Sequence, residues 1–107
     1  MSQPNVIDGR LQSSLAEDAD LGQVIARYVD EMPGRIETML ERAGAADFDA
    51  LADMAHQLKG SAGSHGFHQL TGATAAVERA IRDRRPETEV RAALDALVAL
   101  CRRVRQR

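Results

Sequence analysis

Apolar positions recur every three or four residues through most of this chain, which is the period of an amphipathic helix. From Leu21 the series runs through Val24, Ile25, Tyr28, Val29, Met32, Ile36, Met39 and Leu40, with Asp18-Ala19-Asp20 suited to open it. Pro33-Gly34 interrupts this stretch, and a proline there removes one backbone donor and should kink the helix. The apolar phase runs on across Pro33, so the pattern predicts one kinked helix, not two, stopping at Gly44. Asp47 can cap a second helix, whose stripe is Phe48, Leu51, Ala55, Leu58 and Ala62. It should run to about Ser64, with Gly66 marking its end. Phe67, Leu70, Thr74, Val77 and Ile81 predict a third helix, ending near Arg84. Pro86 suits the first position of a fourth, and Glu87 and Glu89 suit its first turn. Val90, Ala93, Leu94, Leu97, Leu100, Cys101 and Val104 complete its stripe. Arg102, Arg103, Arg105 and Arg107 follow where cations favour the helix dipole.

Ahead of these, Val6, Ile7, Leu11 and Leu15 also have helical spacing, with Asp8 able to cap. They predict a short extra N-terminal helix lying across the bundle end. Residues 1–5 read as a disordered lead. Four long amphipathic helices with short connections predict an all-α, antiparallel four-helix bundle. It occupies 6–107 as one domain, without internal repeats.

Composition narrows the picture. A chain of 107 residues holds one domain with one modest core. Tyr28, Phe48 and Phe67 are the only aromatic side chains apart from histidine, and β-branched runs are few, which argues against a β-sandwich or barrel. The net charge of −2 creates no global field for nucleic acid. No window approaches the length of a membrane span. Met1 to Asn5 lack the basic and then apolar pattern of a signal peptide. The single cysteine, Cys101, falls on an apolar stripe and reads as a small buried hydrophobe. A disulfide scaffold is excluded, and a reducing cytoplasm is the expected location. Met1 and the short lead favour a free protein over an excised module.

The unusual stretch is His56-Gln57-Leu58-Lys59-Gly60-Ser61-Ala62-Gly63, running on to Gly66. At about 100° per residue, His56 lies about 120° from the centre of its helix's apolar stripe. It should face the helix edge or solvent. Its helical neighbours are Ala52, Asp53, Lys59, Gly60 and Gly63, mostly very small side chains and one ammonium. A glycine inside a helix costs about 1 kcal/mol against alanine. Gly60 and Gly63 sit on the histidine's side, which suggests that another molecule's surface must come close. Lys59 is the only lysine in the sequence; every other basic residue is an arginine. A compact ammonium one turn from an imidazole suits a phosphoryl group held on that ring.

His56-x-Leu58-Lys59-Gly60-Ser61-Ala62, with Gly66 ten positions after the histidine, resembles the signature of histidine-containing phosphotransfer (HPt) domains. Length and helix order extend the resemblance over nearly the whole chain. It departs at His65, where the family usually has an apolar residue. The resemblance implies that His56 accepts a phosphoryl group from a receiver-domain aspartate and passes it to a second receiver's aspartate. An exposed imidazole near neutral pH is a competent nucleophile, and phosphoryl transfer asks mainly for positioning and charge stabilisation. The implied partners are receiver domains of a hybrid histidine kinase, a response regulator or both. The receiver would bring the carboxylate and a Mg²⁺ ion; the chain needs no cofactor of its own, and a monomer is expected.

The other candidates each read two ways. Lys59 is the phosphoryl's electrostatic partner or a solvated lysine. Gly60 is clearance for the receiver or a close helix contact. Glu78 and Arg82, four apart on the third helix, match family positions that carry polar residues facing the histidine; they orient the ring or form an ordinary surface pair. Asp53 could hydrogen-bond the ring, although it and Asp49 read by default as solvated face. Ala52 and Gly63, both expected to be exposed, and an apolar rim near Met32 and Met54 are candidate docking positions. His65 and His68 lack acidic or cysteine partners at metal-site spacing, so no metal site is expected. The arginine clusters read as solvated face in an acidic chain. No Gly-rich phosphate loop is present, so no ATP-binding or autokinase activity is expected. Two alternatives remain open: a helical adaptor with His56 incidental, and the phosphoacceptor domain of a separate chemotaxis-type kinase.

Overall fold

A computed structural model of the chain describes residues 6–7, 10–15 and 21–105. Helix α1 spans Gly22–Gly44, α2 Phe48–Ser64, α3 Thr71–Arg82 and α4 Glu87–Cys101. A single 3-10 turn, His68–Leu70, leads into α3. The helices form the antiparallel bundle that the periodicity predicts, each packed on the next and α4 returning to α1.

α1 is one helix across Pro33, and Ile25, Tyr28, Met32, Ile36, Met39 and Ala43 are buried along it. An interior proline costs about 3 kcal/mol. Burying one large apolar side chain returns about 1.5–3 kcal/mol. The stripe has such residues on both sides of Pro33, so continuing the helix wins. Ala46 takes a φ of 56° in the turn that follows. Asp47 then caps α2 as expected, its Oδ1 accepting from the Ala50 N–H at 3.3 Å. Arg91 on α4 donates to the Ala43 carbonyl at 3.0 Å, a second bond to an oxygen that also accepts from the Ala46 N–H, and so ties α4 to the end of α1.

The core contains Leu51, Ala55, Ala62, Phe67, Leu70, Val77 and Leu97, all fully enclosed. α2 and α3 share the most extensive packing of any pair. The buried residues of α2 are mostly small, with Ala52, Ala55 and Ala62 among them. Small side chains let the neighbouring backbone come near, and this brings the outer edge of α3 level with His56.

Two expectations at the chain ends need correction. The segment from Val6 is extended where a short helix was expected. Strand β1 (Val6–Ile7) pairs antiparallel with β2 (Arg10–Gln12), and β2 pairs parallel with β3 (Val104–Arg105). α4 therefore ends at Cys101, and Val104 is buried from a strand instead of a fourth helical turn. The extended form buries both Leu11 and Ser13, a two-residue spacing that a helix would put on opposite sides. It also gives the Leu11 N–H a partner, the Arg103 carbonyl at 2.7 Å. The expected lead 1–5, the Asp8 cap, the Asp18-Ala19-Asp20 start and Arg107 lie outside the described residues.

The segment after β2 fastens onto the end of α2. Ser13 Oγ donates to the His65 carbonyl, and the Ser14 N–H donates to the Gly66 carbonyl at 2.7 Å. Gly66 has a φ of +82°, and a Cβ there would stand 2.9 Å from the Ser14 backbone nitrogen. Left-handed backbone and close approach both require glycine at this point. His65 is accommodated by stacking on Tyr28, with ring centroids 4.1 Å apart, while its Nδ1 donates to the Ser61 carbonyl at 2.7 Å. Tyr28 in turn bonds Ser61 Oγ through its hydroxyl at 2.8 Å. Among the described residues no helix is long and apolar enough to cross a membrane.

Candidate functional site

α2 holds His56 outward, with 64% of its side chain exposed. The ring is not walled off by the bundle. Its Nδ1 faces Glu78 of α3, 3.0 Å from Oε2 and 3.3 Å from Oε1. Lys59 Nζ lies 3.6 Å from Glu78 Oε1. Arg82 Nε donates to Glu78 Oε2 at 3.1 Å. Glu78 thus accepts from His56 and Arg82 and forms an ion pair with Lys59, and only 15% of its side chain is exposed.

This arrangement fixes the chemistry of the ring. The Arg82 guanidinium, followed by His56 and Lys59, holds the Glu78 carboxyl below its ordinary range. An ionised carboxylate only accepts hydrogen bonds, so Nδ1 must be the donor. The neutral ring then carries its lone pair on Nε2, the nitrogen turned away from Glu78. The spacing of Glu78 and Arg82 indicated a pair, and the structure shows that the pair and the histidine form one network.

Asp53 is solvent-exposed, as expected, and its carboxylate also reaches α3. It does not bond the ring: its Oδ1 accepts from Arg82 Nη2 at 3.3 Å, across from α2 to α3. The available signal was its place one turn before His56, with charge opposite to Arg82. With His56 neutral, Asp53, Glu78, Lys59 and Arg82 sum to zero formal charge.

The small residues separate into two kinds. Gly60 is exposed, and a Cβ built there meets no atom within 4 Å. The alternative of close helix packing at Gly60 therefore has no neighbour to support it. A Cβ at Gly63 would touch Thr71 Cγ2 at 4.0 Å, an ordinary contact with the start of α3. Ala52 was expected to be exposed and is buried, at 1% accessibility, because it belongs to the face of α2 that enters the core. Met32 is likewise core and not rim, at 2%. Met54 is partly buried and joins Arg35, Met39, Gln57, Leu58 and Ser61 around a depression of about 230 Å³ beside the histidine's turn.

Within the motif, Leu58 and Ala62 are buried and Ser61 holds Tyr28, so those positions serve the bundle. His65 faces Tyr28, and His68 is exposed in the 3-10 turn. Among the described residues no group of three or more His, Cys, Asp or Glu side chains is placed to hold a metal ion.

The sequence model of the Hpt domain matches residues 23–107. No curated protein and no solved structure matches the chain significantly. That match takes in all of α2 to α4 and nearly all of α1, with His56 near its middle. The chain belongs to the Hpt domain family, the phosphocarrier modules of two-component signalling that work with receiver domains.

Proposed function

We propose that this protein is a phosphorelay carrier in which His56 Nε2 accepts a phosphoryl group from a receiver-domain aspartyl phosphate and returns it to another receiver's aspartate. The observation that carries this reading is the exposed ring whose Nδ1 is committed to Glu78, leaving Nε2 with the lone pair. In the forward step the Nε2 lone pair forms the N–P bond. The P–O bond to the receiver's carboxylate breaks, and that carboxylate leaves with the electron pair. The ring keeps its Nδ1 proton and gains positive charge as the bond forms, against the Glu78 carboxylate. The Mg²⁺ ion in this scheme belongs to the receiver and offsets charge on the phosphoryl oxygens.

Lys59 is within one turn of His56, and its ammonium is free to swing from Glu78 toward a phosphoryl group on Nε2, because 39% of its side chain is exposed. Gly60 leaves the approach open. The contact a receiver makes around His56 should be modest in area and rapidly released. No step requires ATP, so the chain acts as a carrier without autokinase activity. A monomer in the cytoplasm fits this scheme.

The test is direct. Incubated with a phosphorylated receiver, the wild type should gain acid-labile label, and His56→Ala should gain none. Equal labelling of His56→Ala, or no labelling of the wild type by any receiver of its own organism, would leave the helical adaptor as the better account.

A further inference from the structure

The position of Glu78 against His56 depends on a second residue. Arg82 lies one turn further along α3 and is gripped from two sides. Its Nε donates to Glu78 Oε2 at 3.1 Å, and its Nη2 donates to Asp53 Oδ1 at 3.3 Å. Asp53 is on α2, one turn before His56. The guanidinium therefore bridges the two helices that carry the histidine and its carboxylate. We infer that Arg82 is a positioning residue: clamped by Asp53, it keeps Glu78 against the Nδ1 of His56 and so maintains the ring tautomer that leaves Nε2 nucleophilic. This inference rests on the reading of His56 as the phosphoryl acceptor.

A glutamate side chain on a helix surface has three rotatable bonds and spreads over several rotamers when nothing holds it. Glu78 is held at both oxygens: Lys59 lies on the Oε1 side, and Arg82 and His56 share Oε2. Lys59 is a mobile point charge and is the group that a phosphoryl would draw away. Arg82 is then the cation left to keep Glu78 in place during transfer. Its planar fork allows it to hold two carboxylates at once, which an ammonium on a flexible stem does less well. Both ends of the clamp are solvent-exposed, with 53% of the Arg82 side chain and 71% of Asp53 accessible. Its removal should therefore change the histidine's environment without unfolding the bundle. With two of its nitrogens engaged away from Nε2, Arg82 acts through Glu78.

The experiment uses ¹⁵N-histidine-labelled full-length protein at neutral pH and reads the Nδ1–H to Nε2–H tautomer ratio of the unphosphorylated His56 ring. Arg82→Gln should lower that ratio about two- to fivefold, and Asp53→Asn should lower it in the same direction by less. In a Glu78→Ala background, Arg82→Gln should change nothing further. An unchanged ratio in both single variants would overturn the clamp. A further fall in the Glu78→Ala background would also overturn it, since Arg82 would then reach the ring without Glu78. These spectra need no receiver, so a failure of phosphoryl transfer would count against the proposed function and leave the clamp to be decided by the ratio alone.

Discussion

His56 Nδ1 and Glu78 Oε2 face each other at 3.0 Å across the α2–α3 contact, joining a half-open imidazole to a carboxylate with little solvent access. In the proposed relay, one residue supplies the reacting atom and the other decides which ring nitrogen it is. Truncating the carboxylate should leave a nucleophile of mixed tautomer. Glu78→Ala should therefore accept phosphoryl from a receiver about three- to tenfold more slowly, because one hydrogen bond to a positioned group is lost. Glu78→Gln, which can still accept from Nδ1–H, should recover part of the rate. Single-turnover transfer assays on the three proteins check this.

The charge network sets a pH window. The Glu78 carboxyl is held below its ordinary value of 4.5, chiefly by the Arg82 hydrogen bond. A carboxyl with a lowered folded-state pKa stabilises the fold above its unfolded value, and that contribution is lost as pH falls through the folded value. The pairing should therefore be complete at neutral pH and disappear only below 4.5. Carboxyl ¹³C titration should place the Glu78 midpoint below 4.5 in the wild type and higher in Arg82→Gln.

Two glycines of the motif should fail in opposite ways. Gly60 has open space around it, so Gly60→Gln should leave thermal unfolding nearly unchanged while slowing transfer from a receiver. Gly66 has a φ of +82° and a strap of backbone against it, so Gly66→Ala should destabilise the fold by about 1–3 kcal/mol. Denaturant unfolding of both variants, paired with transfer assays, separates the roles. Unfolding of Gly60→Gln with no specific transfer defect would show that Gly60 serves packing.

Burial pushes the Cys101 thiol up to about 11. At pH 8 about one molecule in a thousand would then carry the thiolate. Together with 2% accessibility, this predicts no reaction with a thiol reagent in the native state and one equivalent on unfolding. Rapid native labelling would contradict the placement of Cys101 at the end of α4.

How much of this was legible in the sequence differs by region. The bundle was legible because helical period is a local property: α2 begins after Asp47 and ends at Ser64 as the pattern predicts. Pro33 did not hide the continuity of α1, since the buried positions stay in phase across it. The ends misled because Val6, Ile7, Leu11 and Leu15 fit a helical spacing by chance. The pairing of Leu11 with Val104 depends on a contact between the two ends of the chain, which no local window contains. The exposure of His56 followed from its angle to the stripe, and the openness at Gly60 from the cost of a helical glycine. Ala52 did not follow, since alanine suits either face and only the packing of α3 decides. The link from Asp53 to Arg82 likewise needs the relative height of two helices, which spacing along one helix does not give.

The most direct test of the central claim is the identity of the phosphorylated atom. Phosphorylated protein, prepared with a receiver as donor and ¹⁵N-labelled at histidine, can be read by ³¹P and ¹⁵N correlation spectroscopy under alkaline conditions. The account predicts a single phosphohistidine, at His56, with the phosphorus bonded to Nε2. Phosphorus on Nδ1, or on His65 or His68 with His56 unmodified, would contradict it.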